Sequence, residues 1–433
     1  MIQQSETEHA LRALQDENQR LRRAVEELSI LNDLARAIGA SLNTQEIIQT
    51  IVRRSLRALN AEQGVITLVE EQSENMMKTL VRTMMSSTEH EHYHFNQTLL
   101  GWMHLNKKPL VINDPASDER FRGMQWDESI RGLICVPMTM KSELRGVLTI
   151  YNKKEGKPFS DDDQRLLAII ATQSAQVVEN ARLYEKEQTL VRMQEEVRLA
   201  STIQFQLLPK SAPTIPGYEI VGATIPAQQV GGDYYDFISI DEHHCAVCLG
   251  DVSGKGLPAS LLMANLQATL RGQTLSTNSP QLCLQRSNKL LFESTSPEKF
   301  ATLFYGILDF QRHELLYSNA GHDNPFLLEP GKETVRLKVG GIPLGMFNDF
   351  PFEEARVAIP VGATLVIYSD GVSEAMNAAE EMFTEARIDE VIVRHAQASA
   401  GELIEHLVGA AKHHAAGHPQ TDDITIVVLR RIS

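Results

Sequence analysis

Gly231-Gly232-Asp233-Tyr234-Tyr235-Asp236-Phe237 and Gly250-Asp251-Val252-Ser253-Gly254-Lys255-Gly256 each set an acid where a strand-like run starts or stops. Asp233 opens the run Tyr234 to Ile240, and Asp251 follows the run from His244 that closes on Leu249-Gly250. The arrangement recurs downstream. Asp370 follows Leu365-Val366-Ile367-Tyr368-Ser369 and precedes Gly371, while Asp422 and Asp423 directly precede Ile424-Thr425-Ile426-Val427-Val428-Leu429. One Gly-Asp or Asp-Gly is a turn signal. Acids at four strand ends point to one sheet edge at which carboxylates converge. Such hard oxygen ligands suit Mg²⁺ or Mn²⁺. Two ions about 3.5–4 Å apart clamp a phosphate and activate water near neutral pH.

Outward from these acids, strand patterns cover Tyr218 to Ala223, Thr302 to Asp309, Glu314 to Asn319, Pro325 to Leu328 and Thr364 to Tyr368. Helical patterns cover Ala259 to Gly272, Pro280 to Ser294, Ala386 to His395 and Gly401 to His414. Strands in runs with helices between the groups predict an α+β sandwich rather than alternating βαβ units.

Five segments occur in order: the two quoted above, Ala320-Gly321-His322, Ser369-Asp370-Gly371-Val372 and Asp422-Asp423-Ile424-Thr425. Over about Leu199 to Ile432 they resemble the metal-dependent serine/threonine protein phosphatases of the PPM class, in the SpoIIE-like bacterial branch. Ile203-Gln204-Phe205-Gln206-Leu207-Leu208-Pro209 resembles the stretch that enters that domain. The resemblance implies an α-β-β-α sandwich over residues 211–433 with a site for two Mn²⁺ or Mg²⁺ ions. Asp233 and Asp251 would be central ligands, the Val252 carbonyl would add an oxygen, and Asp370 and Asp422 would complete the site. Those four acids are the expected catalytic set. Asp423 stands where the wider class often has Asn, so it ranks behind Asp422 as a ligand. Ser253 occupies a position where eukaryotic-type members carry His. No Arg matches the phosphate-binding one of the class, so the general acid and the phosphate contacts stay unassigned, with His322 a candidate for the acid. The implied reaction is direct attack of water on a phosphoserine or phosphothreonine of a protein, such as a phosphorylated anti-sigma-factor antagonist.

Upstream, no Pro or Gly interrupts the chain from Ser160 to Leu208, which predicts one long helix. Its second half keeps a three-four spacing through Leu190, Met193, Val197, Ala200, Gln204 and Leu207, so residues 185–210 read as a helical, coiled-coil linker. Ser160 is its N-cap, followed by Asp161, Asp162 and Asp163. Before it the pattern is helix (Thr44 to Leu59), strand (Gly64 to Val69), a turn-rich segment, and strands at Leu133 to Met138 and Leu144 to Tyr151. Lys108-Pro109-Leu110-Val111-Ile112-Asn113-Asp114, Leu133-Ile134-Cys135-Val136-Pro137-Met138, Arg145-Gly146-Val147-Leu148-Thr149-Ile150 and Phe159-Ser160-Asp161-Asp162-Asp163 resemble a GAF sensor domain spanning 29–184. Its ligand or activator is not named by any motif. His90, His92 and His94 read as an exposed polar loop, and Cys135 as a small core residue. At the amino terminus, residues 1–35 carry heptads: Leu14, Leu21 and Leu28 at d, Leu11 and Val25 at a, with Asn18 and Asn32 at further a positions. Polar a positions favour a parallel, in-register pair, so a parallel homodimer is expected.

The 433 residues carry 41 Lys+Arg against 56 Asp+Glu, a formal charge of −15. A nucleic-acid partner would call for a basic surplus. No apolar run approaches the roughly 18 residues needed to span a bilayer, and the first residues lack a signal-peptide pattern. Cytoplasmic location is the expectation. Four Cys in this length are no disulfide scaffold, and Cys245 and Cys248 on one strand would face opposite ways. Gly254-Lys255-Gly256 fails the Walker spacing and reads as a turn before Pro258. The competing functional class is a non-catalytic sensor or scaffold on a phosphatase-like fold.

Overall fold

The computed structural model describes residues 44–69, 97–296 and 298–433, together with positions 14, 17 and 18. The heptads read over 1–35, apart from those isolated positions, and the His90, His92 and His94 group lie outside the described residues. The chain divides into two compact units, Met1–Arg192 and Met193–Ser433.

In the first unit, α1 (Thr44–Leu59) falls where its pattern placed it and buries Ile47, Ile48, Ile51, Val52, Ser55 and Leu59, a single helical stripe. Strands β1 (Ala61–Leu68), β2 (Leu110–Ile112), β3 (Leu133–Met140) and β4 (Glu143–Lys153) form an antiparallel sheet in the order β1-β4-β3-β2. Alternation along β3 and β4 sends Ile134, Val136, Leu148 and Ile150 toward α1, and Leu133, Cys135, Val147 and Tyr151 toward α2 (Gln97–Asn106). With both faces covered, these strands read as nearly continuous apolar runs. Cys135 is fully buried, as its pattern predicts, and burial pushes its thiol up to about 12.

Helix α3 runs from Asp161 to Leu207 without a break. The Ser160 hydroxyl accepts from the Asp163 amide at 3.2 Å, and Asp163 Oδ2 accepts in return from the Ser160 amide at 2.8 Å. This reciprocal cap satisfies two of the helix's orphan donors.

The second unit contains two sheets. One has the order β11-β10-β14-β15-β5, built from β5 (Tyr218–Ile225), β10 (Phe326–Leu328), β11 (Val335–Arg336), β14 (Thr364–Tyr368) and β15 (Ile424–Arg431). The other runs β12-β9-β8-β7-β6, from β6 (Tyr234–Ser239), β7 (His244–Val252), β8 (Ala301–Asp309), β9 (Glu314–Ala320) and β12 (Gly340–Gly341), with β13 (Ala355–Ala358) also on β9. Ile220, Val247, Leu249, Phe304, Leu365 and Val427 fill the space between the sheets. Helices α4 (Leu257–Thr274) and α5 (Pro280–Ser294) cover the second sheet. Helices α7 (Glu385–Arg394) and α8 (Ala400–Ala415) cover the first, and a single turn, α6 (Asp370–Ser373), follows β14. The layers are therefore helix, sheet, sheet, helix. Cys245 lies between the sheets and Cys248 on the α4 side, so the pair faces opposite ways, and all four cysteines are free and buried.

Two differences from the sequence pattern bear on the site. Strand β7 continues through Gly250 because β8 begins early enough to pair Asp251 with Thr302 and Val252 with Ala301. Asp251 is thus the penultimate residue of a strand, not the residue after one. Strands β11 and β12 have two residues each, too few for any alternation to register.

Candidate active site

Strand pairing alone brings the acids together. The β6–β7 register sets Tyr234 opposite Gly250, so one more step along it sets Asp233 beside Asp251. In the other sheet Tyr368 pairs with Ile426. Past that pair, the Ser369 amide donates to the Thr425 carbonyl at 2.9 Å and the Ser369 hydroxyl donates to the Asp423 carbonyl at 2.9 Å. These bonds fix Asp370 against the 422–423 segment.

The carboxylates repel one another. Asp233 is buried, and burial and then the charge of Asp251 hold its carboxyl well above the usual range. Burial, followed by Asp370, Asp422 and Asp423, pushes Asp251 up to about 7. Asp370 is raised to about 6 by burial, then by Asp422, Glu374 and Asp323. Acids scattered over the sequence therefore act on one another across a small volume that disfavours their charge.

The donor set fits a divalent cation in kind. Asp233 Oδ2 is buried with no hydrogen-bond partner among the described residues. A Cβ on Gly232 would stand 3.0 Å from Asp251 Oδ1 and 3.1 Å from the Val252 carbonyl oxygen. Glycine thus keeps open a concavity in which those two oxygens lie side by side. All the donors are hard oxygens. Among the described residues no three carboxylates already stand together as a closed ligand cluster. Asp422 is instead turned to Lys255, whose Nζ lies 2.8 Å from its Oδ2.

Asp423 is occupied differently. Its Oδ1 accepts from the Ala227 amide and its Oδ2 from the Gly232 amide, both at 2.8 Å. It ties the loop before β6 to the start of β15. Both of its oxygens serve backbone amides, while Asp422 Oδ1 accepts from the Asp423 amide at 2.9 Å and its Oδ2 faces Lys255, so each carboxylate of the pair is engaged.

Three further residues escaped the sequence reading. Asp236 is fully buried and accepts from Arg271 Nε at 2.7 Å, Arg271 Nη2 at 3.0 Å and the Tyr234 hydroxyl at 2.7 Å. It braces β6 against α4. Gln204, in the last turn of α3, pairs its side-chain amide with both backbone groups of Gly231, at 2.6 and 3.1 Å. Lys255 was read only as part of a turn. His322 sits one strand behind the acids: its Nδ1 is 3.0 Å from Thr302 Oγ1, which in turn donates to the Asp251 carbonyl at 3.4 Å. Burial lowers its pKa to about 4, so at neutral pH the ring holds no second proton to give.

Residues 241–432 match the family model for stage II sporulation protein E, SpoIIE, and residues 41–179 match a GAF domain model. The chain is a GAF domain joined to a SpoIIE-type phosphatase domain. Asp251, Asp370 and Asp422 fall inside the matched SpoIIE stretch; Asp233 precedes it and rests on the β6–β7 register. The phosphoserine phosphatase RsbU of Bacillus subtilis is 28% identical over 254 residues, 57% of this chain and 75% of RsbU. Protein IcfG of Synechocystis is 27% identical over 291 residues, 59% of this chain and 46% of IcfG. The chain thus spans three quarters of the one relative and less than half of the other. Among solved structures, the PP2C domain of SiaA from Pseudomonas aeruginosa superposes with a TM-score of 0.50 at 22% identity, covering 56% of this chain and 98% of that domain. That likeness is one of fold.

Proposed function

We propose that this chain is a metal-dependent phosphoprotein phosphatase that removes phosphate from phosphoserine or phosphothreonine and is controlled through its GAF domain. The observation that carries the reading is the strand register, which sets Asp233 beside Asp251 in one sheet and Asp370 against the 422–423 segment in the other. Asp233, Asp251, the Val252 carbonyl, Asp370 and Asp422 would hold two Mn²⁺ or Mg²⁺ ions, with Asp423 holding the loop that carries Asp233. Such ions, when bound, supply activated water and neutralise the phosphate. The chain's part is to fix the carboxylates on strand ends and to exclude a covalent route. Its cysteines are buried in the core with thiols pushed up, which supports direct attack by water rather than a cysteinyl phosphoenzyme.

RsbU is a phosphoserine phosphatase by name. On that kinship the substrate is a phosphorylated protein of the anti-sigma-factor antagonist type, and the GAF domain responds to a ligand or protein activator. Leu190 and Met193 are exposed on α3 in the three-four spacing, which supports a parallel homodimer. No helix among the described residues is long and apolar enough to cross a membrane. We place the protein in the cytoplasm.

The test is Mn²⁺-dependent phosphate release from a phosphoserine protein, with Asp370→Asn as control. Release by the wild type that is lost in the variant and on chelation is the expected result. If wild type and variant are equally inert with every divalent metal, the chain is a scaffold on a phosphatase fold.

A further inference from the structure

The carboxylate site has an anion to accommodate as well as cations. Four carboxylates and two divalent ions would leave little net charge, while a phosphoserine brings about −1.5 to −2 at pH 7. Further cations are needed, and two arginines that contact neighbours of the site acids in sequence are already paired. Arg271 is bound to Asp236, and Arg336 donates to Glu385 at 2.9 Å through each of two nitrogens and to the Tyr368 hydroxyl at 2.9 Å.

Two lysines stand at the turn that leaves β7: Lys255 within it and Lys299 against it. Gly254 and Gly256 hold φ of 101° and 69°, a reversal that residues with side chains adopt only under strain. It turns Lys255 across the cleft toward the start of β15. There Nζ bonds Asp422 Oδ2 at 2.8 Å and the Thr421 carbonyl at 2.7 Å. The cleft below is lined by Gly231, Gly232, Asp422 and Asp423. Lys299 stands against the turn: a Cβ on Gly254 would lie 3.0 Å from its Nζ. Among the described residues no carboxylate is within ion-pair distance of Lys299. Ser253 locks the two lysine-bearing segments together, its amide donating to the Phe300 carbonyl at 2.8 Å and its hydroxyl accepting from the Phe300 amide at 3.0 Å.

We propose that Lys255 and Lys299 form the substrate-phosphate clamp, with Lys255 exchanging Asp422 for a phosphoryl oxygen when a divalent cation takes the carboxylates. This rests on the phosphatase reading and names the phosphate contacts that its motifs leave open. Lysine suits the task as a compact, mobile charge able to leave one oxygen for another. Lys255 is thereby also a competitor of the metal for Asp422.

The test uses the full chain and the variants Lys255→Gln, Lys299→Gln and Lys255→Arg. Calorimetry reads Mn²⁺ affinity first, then inorganic phosphate affinity of the Mn²⁺-loaded protein; kinetics on a phosphoserine protein read KM. Each Gln variant is expected to weaken phosphate binding and raise KM about tenfold, the loss of one charged hydrogen bond. Lys255→Gln should bind Mn²⁺ at least as tightly as wild type, and Lys255→Arg should retain most phosphate affinity. Unchanged phosphate affinity in both Gln variants, no phosphate binding by wild type, or weakened Mn²⁺ binding in Lys255→Gln overturns the clamp. Wild type that binds Mn²⁺ and phosphate yet hydrolyses nothing sinks the phosphatase reading alone, and the phosphate affinities still decide the lysines.

Discussion

Asp233 and Asp236 stand three positions apart in one motif and do opposite work. Asp233 faces other acids, whereas Asp236 is neutralised by Arg271 and serves packing. Removing Arg271 would leave the buried Asp236 charge without its ion-pair partner. Arg271→Ala should therefore cost about 3 kcal/mol in denaturant unfolding while leaving Mn²⁺ affinity within about twofold. The acids of the site predict an unusual pH response. Asp251 and Asp370 bind protons more tightly folded, at about 7 and about 6, than in the unfolded chain, at about 3.9. Between those limits the folded state holds more protons, so the contribution of these two acids to metal-free stability should fall as pH rises from about 4 to about 7, with the raised Asp233 acting in the same direction. Saturating Mn²⁺ should reverse the trend, because the ion binds the ionised form. Thermal unfolding with and without Mn²⁺ checks both slopes; a metal-free protein that gains stability between pH 5 and 7 would contradict the crowding of these carboxyls. The acids were legible because glycine-acid pairs beside β-rich runs mark strand ends. The partners of Asp236, and the use of Asp423 on backbone amides, depend on residues tens to almost two hundred positions away, which no local pattern encodes.

At the scale of elements, the end of α3 matters more than its length. Its continuity was readable from the absence of Pro and Gly, and its start from Ser160. What the helix touches was not readable. Gln204 shares both of its amide groups with Gly231, two residues before Asp233, so the helix end and the site loop are held as one piece. Gln204→Ala should weaken Mn²⁺ binding about tenfold, the usual effect of removing an outer support of a metal ligand. Calorimetry on the full chain would show it, and an unchanged affinity would mean that the loop is held by Asp423 alone. The two-residue strands and the single turn α6 were invisible in sequence for a simple reason: elements this short are made by their neighbours and carry no periodicity.

For the whole molecule, acidity is unevenly distributed. Residues 211–433 hold 15 Lys+Arg and 27 Asp+Glu, leaving a balance of only −3 for residues 1–210. The acids proposed as metal ligands belong to that excess, and two bound divalent ions would cancel most of their negative charge. Self-association is argued at this scale too. Leu190→Gln combined with Met193→Gln should shift the solution mass from dimer toward monomer if the exposed stripe of α3 is a seam. A wild-type monomer at micromolar concentration would remove the homodimer from the account.

Strand β15 lies inside its sheet, between β14 and the edge strand β5, although β5 is made far earlier. The hydroxyls of Thr224 and Thr425 meet at 2.8 Å across 201 positions of chain. Pairings of such separation form late, since a long loop must close before they are rewarded. A nascent chain emerging from the ribosome would carry Asp233, Asp251 and Asp370 for some time before Asp422 could join them. If Asp422 is a metal ligand as proposed, the metal site is completed only when this sheet closes.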